Sequence, residues 1–198
     1  EEKRKQNYDG ICQQLQEKGY ERTDLFVDVV TINIAAIFVM LPWIVLFCWI
    51  YFSIHSEQVF TLPLTSAAVF FLIVLLLMVV HELIHGITWG IMAPNGFHAI
   101  SFGIIWSMLT PYCTCADPLK KWQYFIGTAM PTLILGFGLG VAAILQGSIL
   151  LFYLALVMIL AGGGDFFILW KLLRYHTNKK EILCIDHPYE CGLTLFER

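Results

Sequence analysis

The run His81-Glu82-Leu83-Ile84-His85 holds the residues best equipped for chemistry. Two histidines four positions apart on a helix share one face, about a turn apart, and can present two imidazole nitrogens to one tetrahedral Zn²⁺. Glu82 sits one position past the first, where its carboxylate can reach a metal-bound water as general base. All three lie in an apolar stretch, where ionisable side chains are expensive and as a rule mark functional sites. The competing structural reading pairs the histidines with helix neighbours and bonds Glu82 to a serine or threonine of another helix.

A catalytic zinc needs a third protein ligand and an open position for water. Between Asp117 and Glu181 the only acidic residue is Asp165, which follows Ala161-Gly162-Gly163-Gly164 and leads as third ligand. Asp117 and His98 are alternative ligands. Asp165 could instead serve as a counter-ion to Lys171 or belong to a proton path. Cys113-Thr114-Cys115 is a weaker metal candidate, since two thiols one residue apart carry little specificity.

The elements that position these groups follow from composition. Of 198 residues, 58% are hydrophobic and only 14% charged, against roughly 25% charged in soluble domains. Uncharged stretches run from Val29 to Ser56, from Gln58 to His81 and from Trp122 to Gly164. The last is about twice the ~20 residues that span a bilayer, so it must fold back once, at Gln146-Gly147-Ser148. The predicted fold class is therefore an all-α polytopic membrane protein of about four transmembrane helices, with a short membrane-associated β-hairpin loop and a cytoplasmic C-terminal hairpin.

The predicted organisation is a polar N-terminal segment 1–28, a membrane-embedded core 29–175 and a tail 176–198. Spans fall at 29–52, 66–92, 122–145 and 149–175, with a loop at 93–121. His81 and Asp165 then lie at matching depth, roughly 23 Å below the outer surface at ~1.5 Å per residue. Every one of the 12 Lys and Arg residues falls in the head, in the loop after the second span, or at the end of the fourth span and in the tail. The positive-inside rule accordingly puts both termini in the cytoplasm of a multi-pass cell-membrane protein.

On that side, Cys12, Cys113, Cys115, Cys184 and Cys191 face a reducing compartment and Cys48 lies within a span, so free thiols are expected. The net charge of −3 and the absence of a basic, aromatic surface argue against nucleic acid. No internal repeat supports an inverted-repeat transporter. The partners expected are the lipid bilayer and a membrane-anchored protein substrate.

Gly86, Gly90 and Gly162 to Gly164 offer close helix approach near the candidate ligands. Pro131, inside the third span, removes a helix donor and predicts a kink near the metal's depth. In the loop, Ile100, Phe102, Ile104 and Trp106 alternate with smaller or polar residues, which predicts short strands. Such an edge could pair with an unwound substrate or merely plug the cytoplasmic mouth. The tail predicts a second hairpin, Glu181 to Ile185 and Gly192 to Phe196.

His81-Glu82-Leu83-Ile84-His85-Gly86 late in one span, the strand-like loop, Pro118 before the next helix, Pro131 within it and Gly164-Asp165 in the last span together resemble the bacterial Putative zincin peptidases. That family is in turn similar to site-2 proteases. The resemblance implies intramembrane proteolysis with His81, His85 and Asp165 as Zn²⁺ ligands and Glu82 as base. Site-2 proteases commonly carry an Asp-Gly pair at the third ligand and an Asn-Pro pair in the preceding helix. Here Phe166 follows Asp165 and Met130 precedes Pro131, leaving Thr128 and Thr132, with Pro131, as stand-ins for substrate or oxyanion support. Two readings compete with proteolysis: a zinc-binding membrane scaffold or regulator that cleaves nothing, and an ion or proton carrier using Glu82 and Asp165.

Overall fold

A chain this apolar has to satisfy its backbone polar groups internally, and helices do so within a single segment. The computed structural model describes residues 2–57, 64–105, 110–188 and 190–198. Helix α1, Glu2–Glu17, and strand β1, Glu21–Phe26, precede two long apolar helices, α2 at Val29–Ile54 and α3 at Leu64–Met92. Asp28 caps α2 by accepting the Thr31 N–H at 2.9 Å. A 3₁₀ turn, Gly96–Ala99, leads into β2, Ile100–Ile105, and β3, Thr110–Cys115, followed by the short β4, Leu119–Lys120.

The long uncharged stretch does fold back. It begins as α4, Lys121–Pro131, widens into a π-helical segment, Thr132–Gly138, and ends as α5, Leu139–Gln146. The left-handed Gly147 (φ 67°) turns the chain, and Ser148 caps α6, Ile149–Ala161, through the Leu151 N–H. Helix α7, Gly163–Arg174, continues from α6 at a 43° bend. Among the described residues α2, α3 and the run Lys121–Gln146 are long and apolar enough to cross a membrane, and the bent α6–α7 pair would make a fourth. Their outward faces expose Phe38, Trp49, Leu72 and Ile91, as a lipid-facing surface requires.

At Pro131 the third apolar run, Lys121–Gln146, changes from α to π geometry. A π-segment starts at Thr132, a local widening of the kind found near functional positions, and the carbonyl that Pro131 leaves without its helix donor is that of Gly127, four residues upstream. The glycines divide by partner. Gly86 and Gly90 lie under Phe102 and Phe97, so they seat the β2–β3 region and not a neighbouring helix. Gly163 meets the backbone of Ala36 on α2, which is close helix packing as expected.

Head and tail are not separate segments. Strands β5, Ile182–Asp186, and β6, Gly192–Glu197, form the predicted tail hairpin, but they belong to a four-stranded antiparallel sheet of order β1-β6-β5-β4. The all-α expectation is corrected to this extent. The β1–β6 register pairs Glu21 with Glu197 and Phe26 with Gly192. Helix α1 covers the sheet through Tyr8, Cys12 and Leu15 against Ile185 and Phe196. On its other side Leu193, Leu195 and Cys184 join Trp89, Leu119, Tyr124 and Leu172 in one core beneath the helix ends. Strands β2 and β3 pair on their own, Ile100 with Cys115 through Ile105 with Thr110. Trp106, the last residue of the predicted alternation, lies outside the described residues.

Candidate metal centre

One helical turn on α3 separates His81 from His85, and their ring centroids lie 4.9 Å apart. Both are buried. Asp165 comes from the first turn of α7. The break at Gly162 creates a helix N-terminus inside the bundle, and its amide dipoles favour a carboxylate there. One donor atom from each of the three residues lies within 4.8 Å of the others.

The separations suit a small cation. Asp165 Oδ2 is 3.0 Å from His81 Nε2 and 3.4 Å from His85 Nε2. Tetrahedral zinc with ligands at ~2.0–2.1 Å keeps neighbouring donor atoms roughly 3.3 Å apart. The proton on His85 supplies a second argument. Its Nδ1 lies 2.9 Å from the Gly127 carbonyl, which can only accept, so Nδ1 carries the hydrogen. In the neutral ring Nε2 then turns a lone pair towards a carboxylate oxygen. A cation between them, or a second ring proton, removes that repulsion. The donor set of two imidazoles and a carboxylate matches catalytic zinc sites.

Behind His85 the rings continue. Trp89 stacks on it at 5.0 Å and 16°, and Tyr124 stacks on Trp89 at 5.7 Å and 25°. Gly127 permits this approach, because a Cβ there would run into the Trp89 indole. The carbonyl that orients His85 and the glycine that admits Trp89 are thus one residue. Pro131, four residues on, offers the Gly127 carbonyl no helix N–H, and His85 takes the acceptor so freed.

Glu82 stands outside the triad, about a hundred degrees round α3 from His81. The other expected residues are spread out. Thr128 is buried and donates its hydroxyl to Tyr124 O at 2.8 Å. Thr132 is fully buried with its hydroxyl against Gly162, and Pro131 marks the junction of α4 with the π-segment. Neither threonine bonds the triad among the described residues. Lys171 donates to Phe26 O at 3.0 Å and Asp117 accepts the N–H and side-chain amide of Asn95. His98 and Cys113 with Cys115 form no metal group among the described residues, and all six cysteines are free.

The profile of the family described as Putative zincin peptidase matches residues 74–179. The chain belongs to this family. Membership in the zincin peptidases points to a zinc metallopeptidase, and the matched residues enclose His81, Glu82, His85 and Asp165. No curated protein and no solved structure matches the chain.

Proposed function

We propose that the protein is an intramembrane zinc metalloprotease of site-2 protease type, hydrolysing peptide bonds of membrane-anchored protein substrates. The observation that carries this reading is the convergence of His81, His85 and Asp165 beside Glu82 on helices apolar enough for a bilayer. We take α2, α3, the α4–α5 run and the bent α6–α7 pair as four crossings. Both termini and the four-stranded sheet then lie in the cytoplasm, where the basic residues collect.

A zinc ion held by His81, His85 and Asp165 would polarise the scissile carbonyl and acidify a water. Glu82 accepts that water's proton and returns it to the leaving amine nitrogen. The outer edge of β2, where the register turns the backbone of Phe102 and Ile104 away from β3, receives an unwound substrate as an added strand, which presents its peptide bonds in extended form.

Glu82→Gln tests the assignment in purified protein. Zinc content near the wild-type level with cleavage abolished is the expected result; cleavage that persists overturns the mechanism. Zinc bound by a wild-type protein that cleaves no membrane-anchored substrate would favour the silent scaffold instead.

A further inference from the structure

Asp186 closes β5, beyond the residues matched to the family. Its Oδ2 accepts the Cys115 N–H at 3.0 Å and its Oδ1 accepts the Tyr124 hydroxyl at 2.9 Å. These two bonds reach opposite halves of the candidate site.

The first half is the strand. Alternate N–H groups on a β-strand point to opposite edges. Ala116 turns its N–H to Ala99 O, on the β2 side. Cys115 and Cys113 therefore turn theirs to the outer edge. Asp186 grips that edge at Cys115, and so holds the hairpin against the rest of the fold.

The second half is the ring stack. Tyr124 lies on Trp89, and Trp89 lies on His85. Asp186 fixes the hydroxyl at the far end of this stack. A single carboxylate from the cytoplasmic sheet thus ties the strand edge to the metal-side aromatics.

We propose that Asp186 is a positioning residue for the cleavage proposed above, on which this inference rests: by holding β3 it sets the gap between the β2–β3 hairpin, whose free edge takes the substrate, and the His81–His85–Asp165 triad. An asparagine at 186 keeps the shape but loses the charge, so its oxygen and amide leave at best two weaker, neutral bonds in place of two charge-assisted ones. A misplacement of the substrate strand by an ångström is enough to slow the chemical step severely.

The test uses the full chain in detergent or vesicles, with Asp186→Asn and Tyr124→Phe as independent variants. Three quantities are read: zinc per chain, kcat and KM on a membrane-anchored substrate, and hydrogen exchange of residues 110–115. Expected are wild-type zinc content, faster exchange in 110–115, and kcat lowered ~10–100-fold, the usual effect of losing an outer-shell partner. The double variant should lose less than the product of the single losses. Unchanged exchange in 110–115 or kcat within about twofold of wild type overturns the proposal, as does activity lost only in proportion to zinc. If Asp186→Asn does not fold, Tyr124→Phe decides by the same readouts. A wild-type protein without cleavage removes the protease reading alone, since exchange at 110–115 still reports whether Asp186 holds the strand.

Discussion

His85 donates Nδ1–H to the carbonyl of Gly127 at 2.9 Å, a bond from one apolar helix to the backbone of another. It fixes the ring's tautomer and aims Nε2 at Asp165. Metal-binding histidines depend on such outer partners, whose loss commonly weakens affinity 10–100-fold.

Gly127→Ala should therefore impair metal binding without touching a ligand. The new methyl group meets the Trp89 indole, and overpacking of that kind costs ~1–3 kcal/mol. Zinc titration should show affinity reduced by about tenfold or more. Wild-type affinity in a folded Gly127→Ala protein would contradict the geometry.

Removing a ligand or the metal tests the triad directly. Asp165→Ala should lose zinc, because two imidazoles alone leave the site short of the three protein ligands usual for catalytic zinc. Stripping the wild-type protein with a chelator should stop cleavage and adding zinc should restore it. Undiminished zinc in Asp165→Ala would place the third ligand elsewhere.

Neighbouring glycines in α7 should respond differently to the same change. A Cβ at Gly163 would sit 2.9 Å from the Ala36 Cα and carbonyl oxygen, which are backbone and cannot step aside. A Cβ at Gly164 would find only the Ile32 side chain, 3.7 Å away. Thermal unfolding should show Gly163→Ala destabilised by ~1–3 kcal/mol, with Gly164→Ala near wild type. Equal effects would mean that α2 and α7 do not pack as described.

The thiols offer a probe outside the apolar helices. Burial pushes Cys115 and Cys184 up to about 12. The thiolate is the reactive form, and at pH 8 it amounts to roughly one part in 10⁴ for such a thiol. Raising the pH increases that fraction, but neutral conditions leave it negligible. Iodoacetamide at pH 8 should leave both cysteines unmodified in the folded protein and label them once it is denatured, as read by peptide mass. Rapid labelling of the folded chain would show that the sheet does not bury them.

Sequence and structure meet most closely where the signal is local. His81 and His85 are four residues apart, and that spacing alone puts both rings on one face. Asp165 was legible from the scarcity of acids and from its depth in the last apolar stretch. The helix break that orients it was not, since Gly162-Gly163-Gly164 reads equally well as a packing surface. The sheet escaped because β1 and β6 are almost the whole chain apart, and each alone carries no pattern that names its partner. Asp186 and Gly127 escaped for the same reason: each acts through a long-range contact, and neither is unusual for its type.

Strand pairing between β1 and β6 has a consequence for counting. β1 comes before the first apolar helix and β6 after the last, while β4 lies midway, after α3, in the same sheet. Strands joined by hydrogen bonds lie on one side of a bilayer. The chain must then cross an even number of times between β1 and β4, and again between β4 and β5. α2 and α3 satisfy the first interval. The second holds the α4–α5 run, so that under the proposed crossings parity requires the bent α6–α7 pair, which carries Asp165, to cross back and bring the tail home.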